Sequence, residues 1–201
     1  MPMRTSFFGI VACSVCLYLA ATFCVPVACA QEMSQEEMMA KWMEAAQPGP
    51  PHKVLAKMAG TWQATVKSWE DPTQPPQVSE GTSVSKIIME GRFLKTDFEG
   101  TMMGMPMVGL GYLGYDNLKQ EYCGVWMDNM STSVMSYSGT FDEKAGVMTC
   151  YGEGIDPMSG QKYTSRMVTR VVSPDEHVWE MYSPGPDGKE VKWVEITYVR
   201  K

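Results

Sequence analysis

The sequence predicts an all-β protein, a single antiparallel meander of about ten strands closed into a barrel, with a short helix outside it. Three observations carry this. From Thr61 the side chains alternate with period two: Trp62, Ala64 and Val66 share one face, Gln63, Thr65 and Lys67 the other, as in a half-buried strand. Short turns rich in Gly, Pro, Asp and Asn separate the strand-like segments, for example Asp156 to Gly160. No helical pattern between them is long enough for the crossover that parallel neighbours require, and closing the sheet removes its exposed edges.

The chain begins with a short basic start, Met1 to Arg4, and a nearly continuous apolar run from Phe7 to Val27. Ala28-Cys29-Ala30 supplies small residues where a signal peptidase reads, and polar Gln31-Glu32 follows at once. This reads as an export signal over residues 1–30, giving a periplasmic or extracellular protein; a retained membrane anchor is the rival reading. No stable membrane insertion is expected once the signal is removed. Residues 31–50 form a helix and a Pro/Gly linker, and residues 51–201 the barrel domain. Ser34 to Ala46 has apolar residues at spacings of three and four, with Ser34 and Glu37 placed as a capping box, and is expected to pack on the barrel. Pro48-Gly49-Pro50-Pro51 ends it.

His52 to Trp62, HKVLAKMAGTW, is the stretch around which the barrel is organised. Val54, Leu55 and Met58 make a short apolar turn that runs through Gly60 directly into the first strand, with Trp62 at its mouth. Glycine adopts backbone angles closed to other residues, so Gly60 marks the change from turn to strand. Nine further strands follow: Val78–Glu90, Arg92–Glu99, Met105–Tyr115, Glu121–Met127, Ser133–Phe141, Val147–Glu153, Lys162–Val172, Glu176–Tyr182 and Val191–Arg200. Gly109, Gly111 and Gly114 fall inside one of them, which points to strong coiling or to another segment lying close. Cys123 and Cys150 fall two strands apart, about 9.5 Å, beyond the roughly 4.4–6.8 Å that a disulfide spans between alpha carbons, so two free thiols are expected.

The segments His52-x-x-Leu55-x-x-Met58-x-Gly60-x-Trp62, Gly91-Arg92-Phe93-Leu94, Gly109 to Asp116, Trp126-x-Asp128 and Ser138-Gly139-x-Phe141-Asp142, in this order, resemble the bacterial DUF1579 family. Its members are small barrel proteins of unknown function, and the likeness covers about Pro51 to Arg200. Gly60-x-Trp62 after a short turn is also similar to the opening of lipocalin and calycin barrels. That resemblance implies a tryptophan closing the barrel base under a basic residue near the last strand, here Arg200 or, as the alternative, Lys192.

The residues themselves do not point to a catalyst. Only His52 and His177 lie beyond the export signal, far apart in order and without a CxxC, which is a poor basis for zinc chemistry. There is no Gly-x-Ser-x-Gly elbow and no glycine-rich loop before a helix. The net charge of −6 and the scattered basic residues exclude nucleic acid as an expected partner. No cofactor is expected. Nineteen methionines stand out, with Met102, Met103, Met105 and Met107 clustered. Thioethers fill apolar cores and permissive binding surfaces; copper(I) at Met105 and Met107 is the weaker alternative, and haem on His177 another.

A barrel of ten strands has room for a guest. The expected ligand is a small apolar or amphipathic molecule, with Tyr112, Tyr122, Trp126 and Trp193 lining the interior. Arg166 and Arg170 share one strand face with Val168 and Val172, so they face either inward toward a ligand carboxylate or outward beside acidic residues. A filled barrel serving a structural or protein-interaction role is the alternative.

Overall fold

Gly60 enters its strand at φ +146°, and a Cβ there would collide with the Arg200 guanidinium, so glycine is required at this corner. Around that corner a computed structural model, which describes residues 33–201, shows a closed antiparallel barrel. Two helices come first, α1 (Gln35–Ala45) and α2 (Pro50–Met58). The strands are β1 (Gly60–Ser68), β2 (Gln77–Ile88), β3 (Phe93–Met102), β4 (Met105–Asp116), β5 (Glu121–Asp128), β6 (Met135–Asp142), β7 (Val147–Ile155), β8 (Lys162–Ser173), β9 (Glu176–Pro184) and β10 (Glu190–Arg200). Each pairs with its neighbour in sequence, and β1 pairs with β10 to close the ring, Trp62 opposite Arg200. The expected export signal lies outside the described residues. Among the described residues no helix is long and apolar enough to cross a membrane.

What the sequence presents as one apolar turn before the barrel is a full helix. In α2, Val54, Leu55 and Met58 are buried against Leu94, Tyr122 and Met148, so the helix plugs one end of the barrel. Proline at its first position suits an N-terminus, where an amide hydrogen would lack a partner. His52 caps it: Gly49 N donates to His52 Nδ1 at 2.9 Å, and Tyr122 Oη ties the helix to the wall by donating to the Pro51 carbonyl at 3.0 Å.

The expectation that α1 packs on the barrel is corrected. Its Ser34–Glu37 capping box is present, but none of its residues is buried, and Met38, Met39, Trp42 and Met43 are exposed. The polar chain after it is what is held. Asn117 Nδ2 donates to the Ala45 and Gln47 carbonyls at 2.8 Å each, and Arg92 Nε to Ala46 O at 3.1 Å. These bonds seize the end of the helix and leave its apolar stripe free.

Cys123 and Cys150 are both free, on β5 and β7 with β6 between them. Cys150 faces the interior with Met148, whereas Cys123 alternates with inward Tyr122 and Gly124, so the two thiols also lie on opposite faces of the sheet.

Candidate functional site

Odd-numbered positions of β4, even-numbered positions of β5 and odd-numbered positions of β8 face the barrel interior, and they enclose a cavity of about 280 Å³. It runs from Met58 and His177 near the plugged end to Met102 and Asp128 at the opposite rim. Methionines from the plug and from six strands form much of its wall, among them Met107, Met135, Met148, Met167 and Met181. A thioether side chain is flexible and polarisable, so such a wall re-packs around differently shaped guests.

Trp126 sets the upper wall. Its ring lies flat across β4, where a Cβ on Gly109 would clash with the six-membered ring and one on Gly111 would stand 3.0 Å from Cε3. Its indole Nε1 donates to Asp128 Oδ2 at 2.8 Å, and Asp128 Oδ1 accepts from Met130 N at 3.0 Å. The segment lying close to the glycine-rich strand is therefore an aromatic ring. Gly109→Ala should displace the indole and destabilise the protein by about 1–3 kcal/mol, the usual range for overpacking. Urea unfolding would measure it; an unchanged midpoint would show that the ring is not confined.

The plugged end is built from β1, β9 and β10. Trp62 is 1% exposed; its Nε1 donates to Met58 O at 3.1 Å, and the Arg200 guanidinium stands 4.1 Å from its ring centroid. Arg200 is itself held by Ala59 O (2.9 Å), Pro174 O (2.9 Å) and Asp175 Oδ1 (3.0 Å). His177 packs edge-on to Trp62 at 4.5 Å and stacks on Tyr198 at 4.6 Å, with its edge on the cavity. Burial, and secondarily the Arg200 charge, push the His177 imidazole down to about 4, so it is uncharged at neutral pH.

A family model described as "Protein of unknown function (DUF1579)" matches residues 47–200. The chain belongs to the DUF1579 family. Among solved structures it is similar to Rv2717c from M. tuberculosis, at 15% identity over 77% of this chain and 99% of that one, with a TM-score of 0.58. It also aligns with the S-type phycobiliprotein lyase CPES from Guillardia theta, at 13% identity over 80% and 96% of the two chains, with a TM-score of 0.49. Likeness at this level of identity concerns the fold. No curated protein matches the sequence.

In this DUF1579 barrel the quoted motifs have physical roles. HKVLAKMAGTW is the plug with its tryptophan lid, Gly109 to Gly111 is the bed for Trp126, and Trp126-x-Asp128 is an inward hydrogen-bonded pair. The basic residue under the closing tryptophan is Arg200; Lys192 lies instead on the outer wall, bonded to Glu180 at 3.1 Å and to Glu195.

The sequence-expected lining is only partly assembled. Trp126 lines the cavity. Tyr112 borders it, but alternation with inward Gly111 and Leu113 turns its side chain to the outer face, opposite Lys95. Tyr122 is buried beneath α2, and Trp193, at a β-bulge, donates from Nε1 to Ser183 O at 3.3 Å; neither lines the cavity.

Arg166 and Arg170 both face out, which corrects the inward reading. Arg166 makes a two-pronged contact with Glu190 (2.9 and 2.6 Å) and stands 4.1 Å from the Tyr182 ring centroid. Arg170 Nε donates to Glu180 Oε2 at 3.2 Å. Val168, the apolar neighbour that kept the inward option open, is 2% exposed on this outer wall, between Thr149 and Glu180 of the flanking strands. A valine can be buried on the outside of a barrel, and no sequence signal separates that from burial inside.

Met107 lines the cavity whereas Met105 is half exposed at the rim, so the two do not share an enclosed site. Among the described residues no group of three or more His, Cys, Asp or Glu is placed to hold a metal ion. His177, offered by the sequence only as an alternative haem ligand, lines the cavity together with Tyr137 and with Tyr198, which the sequence did not single out. Their signal was strand parity: Tyr198 shares a face with Val194 and Ile196, and His177 with Trp179 and Met181.

Proposed function

We propose that this chain is an exported, non-enzymatic barrel that binds a small, predominantly apolar molecule in its interior. The observation that carries this reading is the cavity of about 280 Å³ inside a closed barrel, walled by methionine and aromatic side chains. It lies just below the roughly 300–1,000 Å³ of drug-sized sites and holds about nine water volumes at ~30 Å³ each. A haem macrocycle far exceeds that space, so haem on His177 would require the barrel to widen. Copper(I) would need Met105 to turn in from the rim.

Native mass spectrometry of protein recovered from the exported fraction tests the reading, followed by extraction of what co-purifies. A reproducible small molecule should appear with the wild type and be lost in Thr169→Phe, which fills the cavity from a position where Thr169 borders it. Protein that is empty and ignores a broad panel of fatty acids and isoprenoids would end the cavity reading.

Export has its own check. Thiol titration of the unfolded, unreduced exported protein should count two groups, Cys123 and Cys150, with an intact mass starting at Gln31. In the folded protein Cys150 should resist labelling, because burial pushes its thiol up to about 12. Retention of residues 1–30 would add the mass of that segment, with its four further cysteines, and would restore the anchor reading.

A protein-interaction role is the second reading, favoured by α1, where Trp42 is 68% exposed beside Met38, Met39 and Met43. It predicts a partner whose capture is lost in Trp42→Ser while ligand uptake is unchanged.

A further inference from the structure

The lower half of the cavity carries a polar cluster that the apolar wall does not require. Tyr198 on β10 stacks on His177, and Tyr137 reaches in from β6 on the far wall with its ring over Gly124, 2.5 Å from where a Cβ would stand. Among the described residues every side-chain nitrogen or oxygen that is fully shut off from space has a hydrogen-bond partner. Among the described residues the Tyr137 and Tyr198 hydroxyls and the His177 ring nitrogens have no hydrogen-bond partner, so they open onto the cavity, which all three residues line. Buried hydroxyls without partners are costly unless water or a guest satisfies them.

Ser83 and Thr169 also border the cavity, while three other polar side chains there are committed. Ser85 and Thr96 bond each other at 2.9 Å, and Asp128 holds the Trp126 indole and the Met130 amide. Among the described residues no lysine or arginine borders the cavity; Arg166, Arg170 and Lys192 are paired with acids on the outer wall. A guest carboxylate or phosphate would therefore be buried without a counter-charge, and an ammonium would find only an occupied Asp128 at the rim.

We propose, building on the cavity reading, that the preferred ligand is an uncharged molecule with a carbonyl oxygen, held by the Tyr137 and Tyr198 hydroxyls while its hydrocarbon body lies among the methionines. Two phenols that line one cavity offer donors, and a carbonyl oxygen has two lone pairs to receive them. Burial raises both phenol pKa values, Tyr198's also through the nearby Tyr137, so both keep their protons. His177, uncharged beside them, adds one donor or acceptor for a neighbouring polar atom of the guest.

The test is a matched set on one skeleton: menthone, menthol, p-menthane, menthylamine and menthane carboxylate, titrated into the full exported chain by calorimetry. Menthone should bind best, and the amine and carboxylate at least about a hundredfold more weakly, the scale for burying an unpaired charge. Tyr137→Phe and Tyr198→Phe should each weaken menthone about fivefold to tenfold, one hydrogen bond's worth, and leave p-menthane unchanged. Both variants remove only an unpartnered hydroxyl, so folding is preserved. The infrared carbonyl stretch of bound menthone should shift to lower frequency and partly recover in each variant. If menthone and p-menthane bind equally and neither substitution matters, this proposal fails while the cavity reading stands. Preference for the carboxylate would overturn it likewise. If even p-menthane is excluded from the chain, both readings fall.

Discussion

Trp62→Ala should destabilise the protein by about 3–5 kcal/mol, the range for deleting a fully buried large aromatic side chain. Trp62 is 1% exposed and touches three structural parts at once: the Met58 carbonyl of the plug, the Arg200 guanidinium of the closing strand and the His177 ring. Its removal leaves a hole at the seam where β1 meets β10, the pairing that makes the sheet a barrel. Stability of small domains is only about 5–15 kcal/mol, so the loss takes a large share, and the midpoint of thermal unfolding should fall by roughly 10 °C. Trp62→Phe should lose less, because it keeps most of the packing and gives up the indole N–H. Denaturant melts of both variants measure this. A loss below about 1 kcal/mol for Trp62→Ala would mean that the plug and Arg200 close the barrel without it.

Mild acid should weaken the fold through His177. Its pKa is lowered to about 4 from an ordinary 6.5, so the native state binds fewer protons than the unfolded chain throughout that interval. Stability from this residue is fully present above about pH 6.5 and is lost as the pH falls toward 4, to a total of about 3 kcal/mol. Between about pH 7 and 5, above most carboxylate titrations, the loss should be about 2 kcal/mol. His52, whose pKa is lowered by burial, adds to it with the same sign. His177→Phe keeps an aromatic ring between Trp62 and Tyr198 and removes the proton site, so its stability should be flatter across this range. Equal slopes for wild type and His177→Phe in urea melts would show that His177 charges freely in the folded protein.

The strands were legible because a half-buried strand must alternate, and each turn announces itself through residues that tolerate tight backbone angles. Even the β5, β6, β7 order that keeps Cys123 from Cys150 followed from short links, which force neighbours in sequence to be neighbours in space. The cavity was harder to read. Alternation says that Arg166 and Arg170 share a face, but not which face is the inside, and Val168 and Val172 beside them leave both options open; the outer ion pairs decide it. The exposed stripe of α1 shows the same limit: its spacing marks an apolar face without saying whether anything covers it.

By itself, then, the sequence determined an antiparallel meander, its turns, the Gly60–Trp62 corner and the separation of the two thiols, because each depends on local backbone geometry or on chain order. Closure of β1 on β10 was needed to decide the rest. It set which parity is interior, laid Trp126 across the glycines of β4, and placed Tyr137, Tyr198 and His177 around one cavity. Those residues are distant in sequence, and only the curvature of the closed sheet puts their side chains on one cavity.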